Sequence, residues 1–555
     1  MRKALMLFVL AWIAISVQAQ DPLSDILREE LTRNMNGMAD EEVSPYFMSY
    51  RVNDIKTYRI RTSFGQLLDS DWDHSRKLAV HVRVGSPELD NTHPLRGRAG
   101  GMMMRDTGTD LPLDNKADAV RQIVWRETDR QYNQARDLYA RVLADDAIRV
   151  EREDSSHDFT IEEPIIYYEE PLNENDIAFD IAEWEERLKA YSAVFLDNED
   201  IIKGNAAFVF SIERKYFVSS EGNSITENRL TCRIFVNAEA QADDGMELPM
   251  NISFFGFEPG DLPEHQHILA EAREVSHKLS LLRDAPLVGS YTGPALLAPE
   301  SAGVFFHEIF GHRVEGHRLK QETDAQTFKD MVDDLVLNKN LSVIFDPSMD
   351  RYDDFYLNGS YKFDCEGQRG QRVVVVEDGM LRSFLMSRTP IEGFDRSNGH
   401  GRAQAGFQTV SRQSNLIVET RKPYTEVQLR EMLIEEAKKQ GRNYGYYFVK
   451  TVGGFTMTGR FMPNAFNVTP IEVYRIYVDG REDELVRGVD LVGTPLAIFS
   501  NIEAAGDTPG IFTGTCGAES GGVPTSTVSP MVFVRQIETQ RKPKGQERQP
   551  ILPRP

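Results

Sequence analysis

The segment SAGVFFHEIFGHRVEGHR, residues 301–318, holds His307, Glu308 and His312 in an H-E-x-x-x-H pattern. Two imidazoles and an adjoining carboxylate supply most of what a hydrolytic zinc centre needs: nitrogen ligands, an open position for water, and a group to take that water's proton. The spacing is not the familiar H-E-x-x-H. Successive helical residues turn by about 100°, so positions i and i+5 diverge by roughly 140° and cannot share one ion without distortion. A π-type turn brings such residues onto one face, and Gly311 just before His312 eases the distortion. The spacing therefore predicts a π-bulge or broken turn between His307 and His312, with Ser301 available as the helix N-cap.

Two histidines leave an open tetrahedral site one ligand short. Cys516 in FTGTCGAESGGVP is the best candidate for the third, because a thiolate is a strong zinc ligand and the flanking glycines let backbone approach closely. His317, five residues beyond His312, is a possible substitute, and Glu315 reads as a carboxylate that supports a ligand or is itself capped. The plainer alternatives are a core histidine at His307, beside Phe305 and Phe306, and a small buried thiol at Cys516. Sequence distance alone does not join Cys516 to the motif.

The elements that must position these residues are of mixed type. Ser24 to Met35 reads as an amphipathic helix with Ser24 as N-cap, and residues 117–144 as a second, with Val120, Ile123, Val124, Leu138, Tyr139, Val142 and Leu143 on one stripe. A shorter helix carries Trp184, Leu188, Tyr191 and Phe195, and another spans about 263–283. Period-two alternation marks strands in YFMSYRVNDIKTYRIRTSFGQLL, LAVHVRVG and the hairpin turning at Glu221-Gly222-Asn223. Further hairpins turn at Asp378-Gly379 and Asp479-Gly480. Thr425 and Gln428 form a capping box. Hairpins joined without crossover helices mean antiparallel sheets, so the fold class is α+β. The expected organisation is a signal peptide at 1–19, an N-terminal α+β domain at 20–285, a C-terminal domain at 286–536 opened by the metal-site helix, and a disordered basic tail at 537–555. An acidic, proline-punctuated connector occupies about 145–180.

Length and charge bound the class of function. A chain of 555 residues is too long for one ordinary core, and 27% charged residues with 41% hydrophobic describe a globular protein. The net charge of -23 argues against nucleic acid as a partner, since clustered Lys and Arg would be needed for phosphate. Three cysteines exclude a disulfide scaffold and leave at least one thiol unpaired. Arg2 and Lys3, the apolar run Ala4 to Val17 and the small-residue pattern ending at Ala19 read as an export leader. The expected location is periplasmic or secreted, with no stable membrane insertion.

GVFFHEIFGHRVEG resembles the H-E-x-x-x-H signature of the metal-bearing TldD branch of the TldD/PmbA metallopeptidase family. The likeness continues in FDCEGQRGQRVVVVEDGMLRSFLMSR, SNGHGRAQ, RQSNLIVE, LVRGVDLVGTPLAIFSNIEAAGD and GTCGAESGGVPTSTVSP, and more weakly in ERKYFVSSEGNSITE. The resemblance implies a two-domain α+β subunit, largely antiparallel, that works as a homodimer or pairs with a paralogous subunit around an enclosed cavity. It implies a zinc-dependent peptidase acting on unfolded peptides or fragments, with Zn2+ on His307, His312 and Cys516 and Glu308 as general base. It departs from the family in its leader, in His317 where an acidic residue is commoner, and in its long acidic N-terminal half. Arg402 and the glycine-rich 510–523 loop are candidate oxyanion donors. Iron or cobalt would fit the same ligands. A non-catalytic binding or scaffold subunit, and a hydrolase of non-peptide amides, are the rival readings.

Overall fold

The computed structural model describes residues 21–96, 108–148, 154–173, 177–324, 326–456, 458, 466–542 and 552. The expected leader at 1–19 lies outside the described residues, as do residues 543–551 and 553–555 of the expected tail.

The alternating segments of the first half pair into an eight-stranded sheet, counted among the described residues. Pro45–Ser63 and Gln66–Ser86 form a long antiparallel hairpin that turns at Phe64 and Gly65. Both turn residues have positive φ, 45° and 78°, the conformation that a two-residue hairpin turn needs to match strand twist. Ile201–Ser219 pairs with the first strand, Ser224–Gln241 with Ile201–Ser219, and Glu247–Gly256 lies at the edge. A short strand, Ile166–Tyr168, departs from the antiparallel pattern by pairing in parallel with Ser224–Thr226.

Period two gives this sheet two unlike faces. Tyr50, Val52, Tyr58 and Ile60 share one face and pack under helices. Pro22–Gly37 and Ala117–Asp146 cover one end of it, and Ile181–Ala193 with His265–Asp284 cover the other. The other face carries Arg51, Lys215, Arg229 and Arg233 and meets the second half of the chain through polar contacts. Arg51 donates to Phe407 O (2.7 Å), Lys215 to Phe363 O (2.8 Å) and Arg233 to Thr513 O (3.1 Å).

Three local expectations are corrected. The first helix begins one turn earlier than Ser24: Asp21 is its N-cap, accepting from Leu23 N at 3.1 Å, while Ser24 is buried. On the second helix Leu143 is 46% exposed, and Glu127, Thr128, Gln131 and Tyr132 fill the middle of the buried stripe. A long helix lying across a twisted sheet drifts off any single stripe. The last strand runs to Arg541, five residues into the expected tail, because Glu538 to Arg541 pair with Val489 to Val492.

The second half forms a sheet that closes on itself. Tyr291–Leu297, Tyr444–Thr456, Phe466–Tyr477, Val489–Gly493 and Gly521–Arg541 pair in turn, and Gly521–Arg541 pairs again with Tyr291–Leu297. The motif helix, Pro299–Ile309, follows the first of these strands and is buried from Ser301 to Ile309. Its sequence is apolar nearly all round, the mark of a helix buried on every side. Phe305, Phe306 and Ile309 pack with Phe448, Phe466, Phe499 and Val532 in one core.

Arg388 pins the two halves together. Its guanidinium is fully buried, takes Glu221 in a two-pronged ion pair at 2.7 Å and lies 4.0 Å from the Phe159 ring centroid. Breaking such a buried pair by removing one partner costs about 3–5 kcal/mol, because the remaining charge is left without compensation.

Candidate metal centre

The motif helix ends one residue after Glu308–Ile309, at Phe310, whose φ and ψ of -120° and -53° leave the helical region. A short 3₁₀ turn, Gly311–Arg313, then carries His312. The geometry is the broken turn and not the π-bulge: the chain changes direction between the two histidines, which removes the angular conflict of the i, i+5 spacing. Gly311 serves close approach, since a Cβ there would lie 1.9 Å from Gln413 Oε1. Gln413 in turn donates to His307 O at 3.3 Å. Arg313 folds back to donate to the helix-end carbonyls of Glu308 (2.8 Å) and Ile309 (3.3 Å), which have no partner inside the helix. Ser301 is not the N-cap. Ala298 holds that position with Pro299 in the first turn, and Ser301 Oγ is buried without a hydrogen-bond partner among the described residues.

Cys516 lies near the tip of the hairpin formed by Ile502–Ala518 and Gly521–Arg541, opposite Val523. The hairpin brings its Sγ to 3.3 Å from His312 Nε2, and the His307 and His312 ring centroids are 5.1 Å apart. One donor atom from each of His307, His312 and Cys516 lies within 4.8 Å of the others. Ligand atoms on a tetrahedral zinc at about 2.0–2.3 Å stand roughly 3.3–3.6 Å from one another, so the set fits such an ion with small adjustments.

The electrostatics also suit a cation. Burial disfavours the Cys516 thiolate, but His312, His307 and Arg412 outweigh it and hold the thiol well below its ordinary range. Burial likewise lowers His312, yet the Cys516 thiolate and the Glu315 carboxylate prevail and push it up to about 10. Glu315 Oε2 sits 3.2 Å from His312 Nδ1. With Nδ1 donating to that carboxylate, Nε2 faces the Cys516 thiolate, and it becomes a nitrogen donor when its proton is released to an incoming ion. Glu315 is fixed by Arg318 Nε at 2.9 Å and lies 3.3 Å from Arg412 Nε. Arg412 also donates to Cys516 O (2.6 Å) and Ser520 Oγ (2.7 Å), tying the cysteine strand to the carboxylate that orients His312.

Glu308 lies outside the donor cluster, on the wall of a cavity of about 1230 Å³ that His307, His312 and Cys516 also line. Its Cγ packs against Gly454, where a Cβ would come within 2.8 Å. A Cβ there would also lie 2.9 Å from Asn467 O of the paired strand, so Gly454→Ala is expected to shift both this edge of the strand pair and the Glu308 carboxylate while leaving the donor cluster in place. Metal content should stay at the wild-type level and turnover should fall at least tenfold; unchanged turnover would show that Glu308 is not held by this contact.

Residues 289–541 match the model of the PmbA/TldA metallopeptidase C-terminal domain. The chain is 27% identical over 347 residues to a metalloprotease of Methanothermobacter thermautotrophicus, covering 62% of this chain and 71% of that protein. It is 24% identical over 257 residues to a zinc metalloprotease TldD homolog of Saccharolobus solfataricus, covering 46% and 52%. The second half of the chain carries the C-terminal domain of the TldD/PmbA family. Its fold is similar to that of TldE from Thermococcus kodakarensis, with a TM-score of 0.62 at 12% identity over 94% of this chain and 100% of that one.

Around this TldD/PmbA-type domain the remaining candidates take other places. His317 pairs with Glu519, which also accepts from Arg318 at 3.0 Å, and is not in the donor cluster. Arg402 is turned away from the metal cavity: it donates to Pro524 O at 2.7 Å, stacks 4.7 Å from the Tyr361 ring and lines a separate cavity. The 510–523 segment is a strand pair joined by a tight turn, not an open loop. The three cysteines are all free thiols. Sequence reasoning missed Arg412, Gln413, Arg313 and Gly454. The first two sit in the RQSNLIVE run, whose only signal was family likeness.

Proposed function

We propose that this chain is a zinc-dependent peptidase that hydrolyses unfolded peptides or protein fragments, with Glu308 as the general base. The observation that carries the reading is the convergence of His307, His312 and Cys516 donor atoms beside Glu308 on one cavity wall. A zinc ion held by those three residues supplies a Lewis acid for the scissile carbonyl and a water of lowered pKa. His307 and His312 present nitrogen donors from either side of the broken turn, and Cys516 presents sulfur from the hairpin. Glu315 holds His312 in the tautomer that keeps Nε2 free to bind. Glu308 takes a proton from water in the cavity and returns it to the leaving amine.

The size of the cavity supports a peptide over a small amide. At about 1230 Å³ it exceeds the roughly 300–1,000 Å³ usual for small-molecule sites. The names of the relatives support proteolysis and zinc. The family likeness supports a dimer, with a second copy or with a paralogous subunit.

The test is metal content together with a peptide-library digest. Purified protein should carry about one zinc per chain and cleave the library, and EDTA or phenanthroline should abolish turnover until zinc is restored. Protein that binds no metal and cleaves nothing would leave a scaffold subunit as the better reading.

A further inference from the structure

Arg233 lines the same cavity as the donor cluster but belongs to the first sheet, on Ser224–Gln241. Its Nη1 donates to Thr513 O at 3.1 Å and, more weakly, to Ser253 Oγ at 3.4 Å. Two rings flank the guanidinium, with centroids 5.1 Å (Phe255) and 5.6 Å (Phe235) away. Nη2 is buried and has no hydrogen-bond partner among the described residues.

What the guanidinium lacks is an anion. Among the described residues no carboxylate forms an ion pair with it, and burial alone pulls its pKa down, to about 10. Two buried arginines beside the donor cluster do have such partners: Arg318 pairs with Glu315 and Glu519, and Arg412 with Glu315. Burying a charge without a partner is costly, and an unmade hydrogen bond adds to that cost. The two rings and the Thr513 carbonyl offset part of that cost but supply no negative charge. A ligand that brought a carboxylate into the cavity would satisfy both the charge and the open Nη2 donor.

We propose that Arg233 is a substrate subsite that binds a carboxylate of the peptide, either its C-terminus or an Asp or Glu side chain. Thr513 and Cys516 are three residues apart on one strand, which places this anchor about 10 Å from the cysteine ligand. An extended peptide spans that distance in about three residues, so cleavage falls a fixed few residues from the anchored acid. This inference rests on the peptidase reading and names the substrate class for it.

The test separates the two ideas by measuring binding without turnover. Zinc-loaded full-length protein carrying Glu308→Ala is titrated with three fluorescent hexapeptides of otherwise neutral sequence: a free acid, its C-terminal amide, and that amide with one internal Glu. Fluorescence anisotropy should show the free acid, the Glu peptide or both binding about 10- to 100-fold tighter than the neutral amide, as a charge-assisted pair would give. Which of the two gains identifies the source of the carboxylate. Adding Arg233→Gln should erase the gain and leave neutral-amide affinity unchanged, which also shows that the variant is folded. Arg233→Lys should restore part of it. Equal binding of all three peptides, or a preference that survives Arg233→Gln, overturns the carboxylate subsite while the peptidase reading stands. Binding of none of them overturns both.

Discussion

Glu308→Ala should keep about one equivalent of zinc and lose peptide hydrolysis by a factor of about 10²–10⁴, the range that a positioned general base contributes. The separation of the two effects follows from the geometry. Glu308 directly follows His307, so its side chain leaves the helix about 100° from the ligand's direction and contributes no donor to the cluster. Removing it leaves His307, His312, Cys516 and the Glu315 brace untouched. The side chain faces the cavity and is pressed there by Gly454, so its loss removes a proton acceptor and little packing. Zinc content by elemental analysis and circular dichroism should match wild type, while kcat falls and peptide binding persists. Hydrolysis at the wild-type rate would remove Glu308 from the mechanism, and loss of zinc together with activity would make it a structural support of the site.

The sequence carried the ligand types and the elements more fully than it carried their surroundings. Period-two alternation located both long hairpins of the first sheet, because one face of each strand is apolar and packs under helices. The same alternation misleads about the opposite face. Arg51, Lys215, Arg229 and Arg233 alternate with apolar positions as residues facing water would, yet they turn toward the second half of the chain and line or close the space between. No local pattern distinguishes a charge facing water from one facing a partner sheet; only tertiary contacts do. Likewise, the i, i+5 spacing of His307 and His312 demanded a distortion, and physical reasoning supplied its place. It could not choose between an added residue in the helical turn and a helix that stops, because the choice depends on Gln413 and Arg313 packing around Gly311 and the helix end. The cap at Ser301 failed for a related reason. Pro299 fixes the first turn two residues earlier, and burial on all sides leaves Ser301 no chain end to satisfy.

Cys516→Ala should lower zinc affinity by about a hundredfold or more. The binding free energy of a structural zinc site, about 10–16 kcal/mol over four ligands, gives roughly 3 kcal/mol per ligand, or two decades. The loss should go beyond that share, because the thiolate is one of the two anionic groups bracketing His312 and is the only one within the donor set. Without it, Glu315 alone sets the charge on His312, and Arg412 keeps its backbone contact to residue 516 while losing the anion that its own charge favours. The fold should survive, since the side chain is small and sits near a hairpin tip. Cobalt substitution reads the ligand directly: a thiolate on cobalt gives an intense near-ultraviolet charge-transfer band that nitrogen and oxygen ligands do not. Wild type, Cys232→Ala and Cys365→Ala should all show the band, because Cys232 is in the core of the first sheet and Cys365 lies in the separate cavity with Arg402. Cys516→Ala should lack it. A band that persists in Cys516→Ala, or that disappears in Cys365→Ala, would mean that the hairpin does not deliver the third ligand, and the imidazole pair would then need a different partner to hold its ion.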